Sequence, residues 1–322
     1  MDMAIFTRQG EWLAVSIDAL NVWGDSIDPE RYPSLRAGSH PHIVRQRLLA
    51  LALFPEKWIN RLFSVGEIQC TETSILLKAF ELADIRKELA YRLAQLPSAE
   101  PLPTVPILYE DDWCVVFDKP SGMPVHPNGP GHRGTLDEAA ARLGLLREDP
   151  LPMKHIHRLD DDTSGPVLYA KNELAQLRLD AAMREKRVDR EYEAIVQGRP
   201  RQASGIVDAP IGKDRHHGSR RRVSPGGDQA RTHYEVVRQN AGWARLRLRL
   251  ETGRTHQIRV HMCHIGHPLA GDALYGGRTE AIGHQALRGA RLTFPHPLTG
   301  EPVRVECPEP PWFSALAAKL SL

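Results

Sequence analysis

Three consecutive carboxylates in the middle of the chain are the side chains best suited to carry chemistry. Residues 157–165 read HRLDDDTSG and place Asp160, Asp161 and Asp162 on a turn, and the apolar run 167–170 that follows predicts a short buried strand. Neighbouring carboxylates repel one another, which favours a function for the cluster over a purely structural role. The alternative is a surface turn in which the Asp side chains make local hydrogen bonds.

Two kinds of metal site can be weighed against these residues. The Asp triplet could bind Mg²⁺ for phosphoryl transfer, as in nucleases, but the sequence offers no second carboxylate cluster to complete such a site. Zinc is suggested by histidines close to Cys263, at positions 256, 261, 264 and 267, but their spacings do not repeat a paired-ligand pattern. We therefore predict no metal site.

Further segments of the chain form an ordered set of motifs around this turn. In chain order they read DKPSGMP from Asp118, HRLDDDTSG from His157, REYEAIVQG from Arg190, TGRTHQIRVHM from Thr252, GDALYG from Gly271 and LTFPHPLTGE from Leu292. The set resembles that of the RluA-type pseudouridine synthases, in the same order, from about Ile107 to Pro310. The resemblance implies an enzyme that isomerises uridine in structured RNA, either ribosomal or transfer RNA.

The same resemblance implies a reaction and a set of site residues. The bond from ribose C1′ to uracil N1 breaks, the base turns, and it is rejoined through C5, without a redox change. Asp160 in HRLD is the implied nucleophile, and Arg259, which follows Gln-Ile, is its implied partner. Tyr192 matches the active-site aromatic, expected to stack on the extruded uracil with its hydroxyl near C5, whereas an unplaced Tyr is usually part of a core. Whether the carboxylate attacks ribose or base stays open.

Two further arginines are candidates for contacts with the substrate. Arg158 precedes the nucleophile by two positions and could fill the gap that a flipped base leaves in the RNA stack. Its alternative role is a salt bridge to Asp161 or Asp162. Arg254 could bind a phosphate or support the turn, and the sequence favours neither.

The segment that carries Arg259 is predicted to be a helix. Thr255 is the expected N-cap and Gly266 the expected stop. Arg259 follows the apolar Ile258, so its side chain can project beside the buried stripe toward a cleft. A bidentate guanidinium there would keep Asp160 ionised despite its acidic neighbours.

Composition excludes several classes of protein. With 322 residues, of which 41% are hydrophobic and 25% charged, the chain has the length of two domains and the composition of a globular protein. The longest apolar run, 48–54, is too short to cross a bilayer, and four scattered cysteines favour a reducing cytoplasm over a disulfide framework. No Gly-rich dinucleotide loop is present, so we predict no cofactor. We expect a cytoplasmic monomer.

The net charge of +2 does not by itself indicate a partner, but the charge is unevenly distributed. Residues 213–222 read KDRHHGSRRR and end in Arg220, Arg221 and Arg222. Such a run is often a solvated loop. Beside an RNA-modifying site, contacts with RNA phosphates are the better interpretation.

A proline-rich segment suggests a domain boundary. Residues 97–106, PSAEPLPTVP, contain four prolines and predict an extended linker between an N-terminal region, 1–96, and a catalytic domain, 107–322. In the N-terminal region, short helices are predicted from Pro41 and around Trp58, followed by an extended piece. This order resembles the RNA-binding module of ribosomal protein S-four. The Asn-Gly and Gly-Asp turns of that module are missing, so a structural module is the alternative.

The catalytic region predicts an α+β fold. Strands are expected over 113–117, 191–197 and 243–251, and a helix over 173–186. In 243–251 apolar residues alternate with arginines, which is typical of a half-buried strand. No repeating βαβ pattern appears, so we predict a mixed, mainly antiparallel sheet with flanking helices, preceded by a small, mostly helical domain.

Overall fold

The computed structural model describes residues 5–25, 27–97 and 104–322. Its N-terminal part is an antiparallel four-stranded sheet, in the order β1-β2-β4-β3, with helices packed beside it. The elements are β1 (Phe6–Gln9), β2 (Trp12–Ser16), α1 (Ile17–Trp23), α2 (Pro41–Ala50), α3 (Glu56–Ser64), β3 (Ile68–Cys70), β4 (Ser74–Lys78) and α4 (Leu89–Ala94).

The predicted order of helix, helix and extended piece is present as α2, α3 and β3. Gly66 lies just beyond the end of α3 with φ of 77°, a left-handed conformation that ends a helix at little cost for glycine. The β1–β2 hairpin was not predicted, because its strands are short and β1 mixes buried with exposed residues. Of the predicted linker, residues 98–103 lie outside the described residues.

The remaining elements build two larger sheets, of six and four strands, and a small hairpin. They are β5 (Ile107–Glu110), β6 (Cys114–Lys119), α5 (Leu136–Leu146), β7 (Lys154–His155), β8 (Gly165–Ala170), α6 (Glu173–Arg184), β9 (Asp189–Gln197), β10 (Ser204–Asp208), β11 (Ile211–Lys213), β12 (Arg221–Val223), β13 (Arg231–Gln239), β14 (Trp243–Leu250), α7 (Gln257–His264), β15 (Leu287–Pro295), β16 (Pro302–Glu306) and α8 (Pro311–Lys319).

The six-stranded sheet has the order β10-β13-β14-β9-β15-β16, and the four-stranded sheet has the order β5-β6-β8-β7. All their strand pairings are antiparallel, and β11 and β12 form the separate hairpin. The alternating pattern of β14 buries Leu246 and Leu248 completely, while Arg247 on the other face meets Glu191 of β9. The predicted α+β fold is confirmed.

The two large sheets meet where β8 begins. Gly289 of β15 donates its backbone N–H to the carbonyl of Ser164, over 2.7 Å. The backbone of Gly165 lies so close to Gly289 that a Cβ on Gly165 would be 2.7 Å from it. Because Gly289 pairs with Tyr192 of β9, this contact brings the turn of Asp160 to the strand that carries Tyr192.

One apolar core crosses the predicted domain boundary. Phe80 of the N-terminal part packs against Trp113, with ring centroids 5.0 Å apart, and both belong to the same cluster of buried residues. The hydroxyl of Tyr91 donates to the carbonyl of Leu151 over 2.5 Å. The two parts of the chain are therefore packed tightly together. None of the described helices combines the length and the apolar composition that a bilayer-spanning segment needs.

Candidate active site

A buried lysine, Lys119, is hydrogen-bonded to the backbone of the turn that carries Asp160. The Nζ of Lys119, at the end of β6, donates to the carbonyls of Pro120, Met123 and Asp161 over 2.9, 2.6 and 2.7 Å. An ammonium group has three protons to donate, so the three carbonyls match it. Burial lowers the pKa of Lys119 to about 8, although the carboxylates of the turn oppose this shift. The DKPSGMP motif thus fixes the backbone of the Asp160 turn.

A chain of charges connects Asp160 to the interior. Nη1 of Arg259, on α7, donates to Oδ2 of Asp160 over 3.1 Å. Its Nε and Nη2 donate to both oxygens of Asp272 over 2.7 and 2.8 Å. The Asp272 side chain is only 1% exposed, whereas that of Asp160 is 24% exposed. Asp272 therefore anchors Arg259 in the interior, and the remaining guanidinium nitrogen, Nη1, bonds to Asp160.

The electrostatics of this chain keep the guanidinium charged. Burial lowers the pKa of Arg259, but the hydrogen bonds and charge of Asp272, followed by those of Asp160, outweigh burial and raise this pKa above its ordinary value. The guanidinium also lies over the ring of Tyr275, 5.0 Å from its centroid. Asp160 therefore has a permanent cation as its hydrogen-bonding partner.

Tyr192 and Asp160 line the same pocket, together with Arg190, Arg254 and Arg259. Tyr192 is 5% exposed and points from β9 into this pocket, beside Leu287 and Ile258. Burial raises the pKa of its hydroxyl, so the group is protonated at neutral pH. An aromatic face and a neutral hydroxyl are what stacking on a base and proton transfer require.

His256, the residue before α7, also faces the carboxylate. Its Nε2 lies 3.9 Å from Oδ2 of Asp160, and its Nδ1 lies 2.9 Å from the hydroxyl of Tyr275. The predicted N-cap at Thr255 is wrong: the helix begins at Gln257, and His256 occupies the cap position in a left-handed conformation with φ of 58°. No side chain caps the first turn of the helix; the side-chain oxygen of Gln257 instead accepts from the backbone N–H of Arg254 and closes the turn before α7. The predicted stop is confirmed, since Gly266 directly follows the C-cap residue Ile265.

The other predicted site residues surround this centre. Arg158 is exposed, and among the described residues it makes no salt bridge to Asp161 or Asp162; its Nη1 lies 3.4 Å from Nε2 of His126. Arg254 is exposed in the turn before α7, with its Nε bonded to the carbonyl of Gln229. Both arginines line a groove that continues past Asp160.

The basic run 213–222 covers the end of β11, the loop of the hairpin and the first two residues of β12, and β12 lies next to α7. Arg220 lies over the ring of Tyr275 at 5.4 Å, and the backbone N–H of Arg221 donates to the Tyr275 hydroxyl over 2.9 Å. Arg222 is exposed. The run is therefore in contact with the same tyrosine that touches Arg259 and His256.

The described residues contain no group of three His, Cys, Asp or Glu side chains arranged to hold a metal ion. Oδ2 of Asp160 accepts a hydrogen bond from Arg259. His261 is fully buried and bonded to Thr232 and to the carbonyl of Ala209, which gives this histidine a place in the core.

Comparisons with known proteins assign this arrangement to a family. Residues 113–264 match the family model described as RNA pseudouridylate synthase. An uncharacterized RNA pseudouridine synthase of Bacillus subtilis, YhcT, is 44% identical over 206 residues, which are 63% of this chain and 68% of that protein. The ribosomal large subunit pseudouridine synthase D of Vibrio cholerae is 44% identical over 222 residues, 63% of this chain and 67% of that protein. The chain belongs to the RNA pseudouridine synthase family.

Solved structures show the same fold. The human RNA pseudouridylate synthase domain containing 1 covers 68% of this chain and 90% of its own, with a TM-score of 0.58 at 23% identity. A second human protein, described as RNA pseudouridylate synthase domain containing 4, covers 72% of this chain and 95% of its own, with a TM-score of 0.55 at 23% identity. The resemblance of the sequence motifs to RluA-type enzymes is confirmed by the curated relatives. Like the other members of its family, this synthase isomerises uridine to pseudouridine in RNA.

Three residues of the synthase site carry contacts that sequence reasoning did not assign. Lys119, Asp272 and Tyr275 belong to DKPSGMP and GDALYG, motifs that were matched to the family without giving their members a role. A signal was available, because a Lys and an Asp that become buried need a hydrogen-bonding or charged partner. The partners of each could be known only from the folded chain.

Proposed function

We propose that this synthase uses Asp160 as its nucleophile, with Arg259 as the cation that binds and orients the carboxylate and Tyr192 as the aromatic that stacks on the uracil. The observation that carries the proposal is the 3.1 Å contact between Arg259 and Asp160 in the pocket that Tyr192 lines. A buried cation beside a carboxylate and a protonated tyrosine is the charge distribution that glycosidic cleavage and rejoining at C5 need.

The two oxygens of Asp160 have different surroundings. Oδ2 accepts from Arg259 and faces His256, whereas Oδ1 accepts no hydrogen bond from any residue that the structure describes. An oxygen without a partner keeps its lone pairs for a substrate. Oδ1 is the oxygen that attacks the target nucleotide.

The target uridine is inside folded RNA and has to leave the base stack to reach this pocket. Arg158 is exposed and makes no ion pair within the described residues, so its guanidinium is available to occupy the vacated position. Arg254 lines the groove beside Asp160, and the hairpin residues Arg220, Arg221 and Arg222 lie next to α7; in this proposal all four bind phosphates. Their contribution is to affinity and orientation, without reading the sequence.

The proposed substrate is ribosomal RNA of the large subunit. Several relatives that are 38–44% identical to this chain are named ribosomal large subunit pseudouridine synthase D. Transfer RNA is the alternative. Pseudouridine mapping of ribosomal and transfer RNA, from cells with and without the gene, decides between them: loss of a site in the large-subunit RNA supports the proposal, and loss confined to transfer RNA contradicts it.

We also propose the organisation of the molecule. The catalytic domain spans 107–322 and contains all the site residues, which supports a monomer as the active unit. We place this monomer in the cytoplasm. The N-terminal region, 1–96, is a degraded module of the ribosomal protein S-four type that contributes to RNA binding. The helices α2 and α3 followed by β3 support this assignment.

The nucleophile is tested by Asp160→Asn, with Asp161→Asn and Asp162→Asn as matched controls. Asn has nearly the size of Asp but supplies no carboxylate, so tritium release from RNA labelled at uracil C5 should fall at least about a thousandfold, with RNA affinity kept. The neighbours should retain turnover, because only their backbone carbonyls hold the turn. Turnover by Asp160→Asn together with a dead neighbour would show that the nucleophile is misassigned.

A further inference from the structure

His256 has an unusual position for a histidine that merely fills space. Its backbone is in the left-handed region, which non-glycine residues adopt at a cost, and this directs the imidazole between Asp160 and Tyr275. The side chain is 16% exposed and lines two of the pockets that contain Asp160.

The hydrogen bonds around Tyr275 fix the direction of the bond to His256. The backbone N–H of Arg221 donates to the Tyr275 hydroxyl, because an amide N–H cannot accept. The hydroxyl keeps its own proton to donate, and we assign that proton to Nδ1 of His256, the acceptor 2.9 Å away. A neutral imidazole that accepts at Nδ1 carries its proton at Nε2. In this tautomer the Nε2–H is on the side of Asp160.

The charges around the imidazole favour its neutral form. Burial lowers the pKa of His256 below its ordinary value, and the neighbouring Arg259 and Arg221 act in the same direction. Asp160 and Asp272 oppose this shift without reversing it. At neutral pH the ring is therefore uncharged, and one tautomer is selected by the Tyr275 hydroxyl.

We propose that His256 is a positioning residue that restrains Oδ2 of Asp160 through its Nε2–H, with Tyr275 holding the required tautomer. The inference rests on the proposed role of Asp160. The separation of 3.9 Å is longer than a hydrogen bond and shortens when the substrate fills the pocket, as catalytic contacts commonly do. Two donors on Oδ2 then fix the rotation of the carboxylate and leave Oδ1 toward the nucleotide.

The series of contacts from Tyr275 through His256 to Asp160, called the relay below, also reaches the basic hairpin. It runs from the Arg221 backbone through Tyr275 to His256 and Asp160, and Arg220 covers the same tyrosine ring.

The first test is spectroscopic and does not depend on turnover. The full chain is labelled with ¹⁵N at histidine, and the signals of His256 are assigned by their loss in His256→Gln. We expect a protonated Nε2 and an unprotonated Nδ1 at pH 7.5, and a change toward mixed tautomers in Tyr275→Phe, which removes only the hydroxyl. A protonated Nδ1 in the wild type, or no change in Tyr275→Phe, would overturn the relay.

The second test separates positioning from folding. In single turnover on a tritium-labelled transcript of large-subunit ribosomal RNA, His256→Leu should lower the rate about 30-fold and Tyr275→Phe about 5-fold, with RNA affinity unchanged. His256→Gln, which places an amide donor near the position of Nε2, should recover much of the loss. His264→Gln, an exposed histidine of the same helix, is the control and should not change the rate.

The outcomes distinguish this inference from the proposed function. If Asp160→Asn is inactive while His256→Leu is folded and fully active, His256 has no positioning role and the nucleophile stands. If Asp160→Asn turns over normally, the proposed nucleophile is wrong, and the ¹⁵N spectra still decide whether the relay exists. Equal losses in the Leu and Gln variants, with lower thermal stability in both, would contradict the inference in favour of a structural role.

Discussion

At the scale of single residues, the unequal sharing of Arg259 is the main feature of the site. Asp272 takes two of its hydrogen bonds and is almost completely buried, whereas Asp160 takes one and is partly exposed. A nucleophile held by a full bidentate pair would have both oxygens engaged. Because Asp272 takes that geometry, Asp160 gains a counter-charge while its Oδ1 stays without a hydrogen-bond donor among the described residues, as the proposed nucleophile requires.

We predict that Asp272→Asn is damaging although Asp272 does not reach the substrate. The Asn amide would face the guanidinium with its own N–H groups, and breaking a buried pair of this kind lowers the free energy of unfolding by about 3 kcal/mol. Turnover should fall together with thermal stability, measured by tritium release and thermal unfolding. Asp228→Asn, on the exposed surface, is the control for loss of one charge.

A double variant separates the two effects of Asp272. Adding Arg259→Met to Asp272→Asn removes the unpaired buried charge, so part of the lost stability should return while turnover stays low. Recovery of turnover in the double variant would show that Arg259 is not needed beside Asp160.

At the scale of elements, the site depends on how closely two sheets approach. Gly165 begins β8 with φ of +129°, and its Cα packs against the backbone of Gly289 in β15. Only glycine has both the conformational freedom and the absence of a Cβ that this contact requires. The approach fixes the distance between the Asp160 turn and Tyr192, which pairs with Gly289.

We predict that Gly165→Ala disrupts the site through the backbone. The added Cβ would lie 2.7 Å from Gly289, and together with the strained φ this should lower the free energy of unfolding by about 3 kcal/mol. Turnover should be lost even where the variant stays folded at low temperature, as circular dichroism and tritium release can show. Gly283→Ala, with no atom within 4 Å of the new Cβ, should behave as wild type.

At the scale of the whole molecule, the positively charged side chains are unevenly distributed. The chain has a net charge of only +2, yet Arg158, Arg190 and Arg254 line one groove beside Asp160. The β11–β12 hairpin adds Arg220, Arg221 and Arg222 next to α7. On the outer face of the large sheet, by contrast, arginines such as Arg247 are paired with carboxylates. We propose that this uneven distribution directs the RNA backbone to the site.

We predict that replacing Arg220, Arg221 and Arg222 with Ala weakens RNA binding and reduces its dependence on salt. Each phosphate contact that is lost should lower the slope of log affinity against log salt by slightly less than one, so the slope should fall by up to about three. Arg222→Ala alone, which leaves the contacts to Tyr275 intact, should account for about one. The control is Arg304→Ala, which lies on β16 at the edge of the six-stranded sheet, where Arg304 pairs with Glu306. An unchanged slope in the triple variant would show that the hairpin is a solvated loop.

The sequence by itself was sufficient for the family, the α+β class and the main helices and strands. These follow from ordered motifs and from apolar periodicity, which are local properties of the chain, as the alternation in β14 shows. The proposed roles of Asp160, Tyr192 and Arg259 also come from motif positions. The N-terminal β1–β2 hairpin was missed because short strands of mixed polarity leave no clear period.

The tertiary structure alone decided which groups from distant segments meet. Asp272 could not be assigned to Arg259 from sequence, because a buried carboxylate has the same spacing pattern whether it holds an arginine or a turn. The start of α7 was predicted at Thr255 from a general preference, while Gln257 provides the local hydrogen bond and His256 takes the left-handed position that directs it to Asp160. Periodicity gives the face of an element that is buried, and only the packing of elements determines its neighbours.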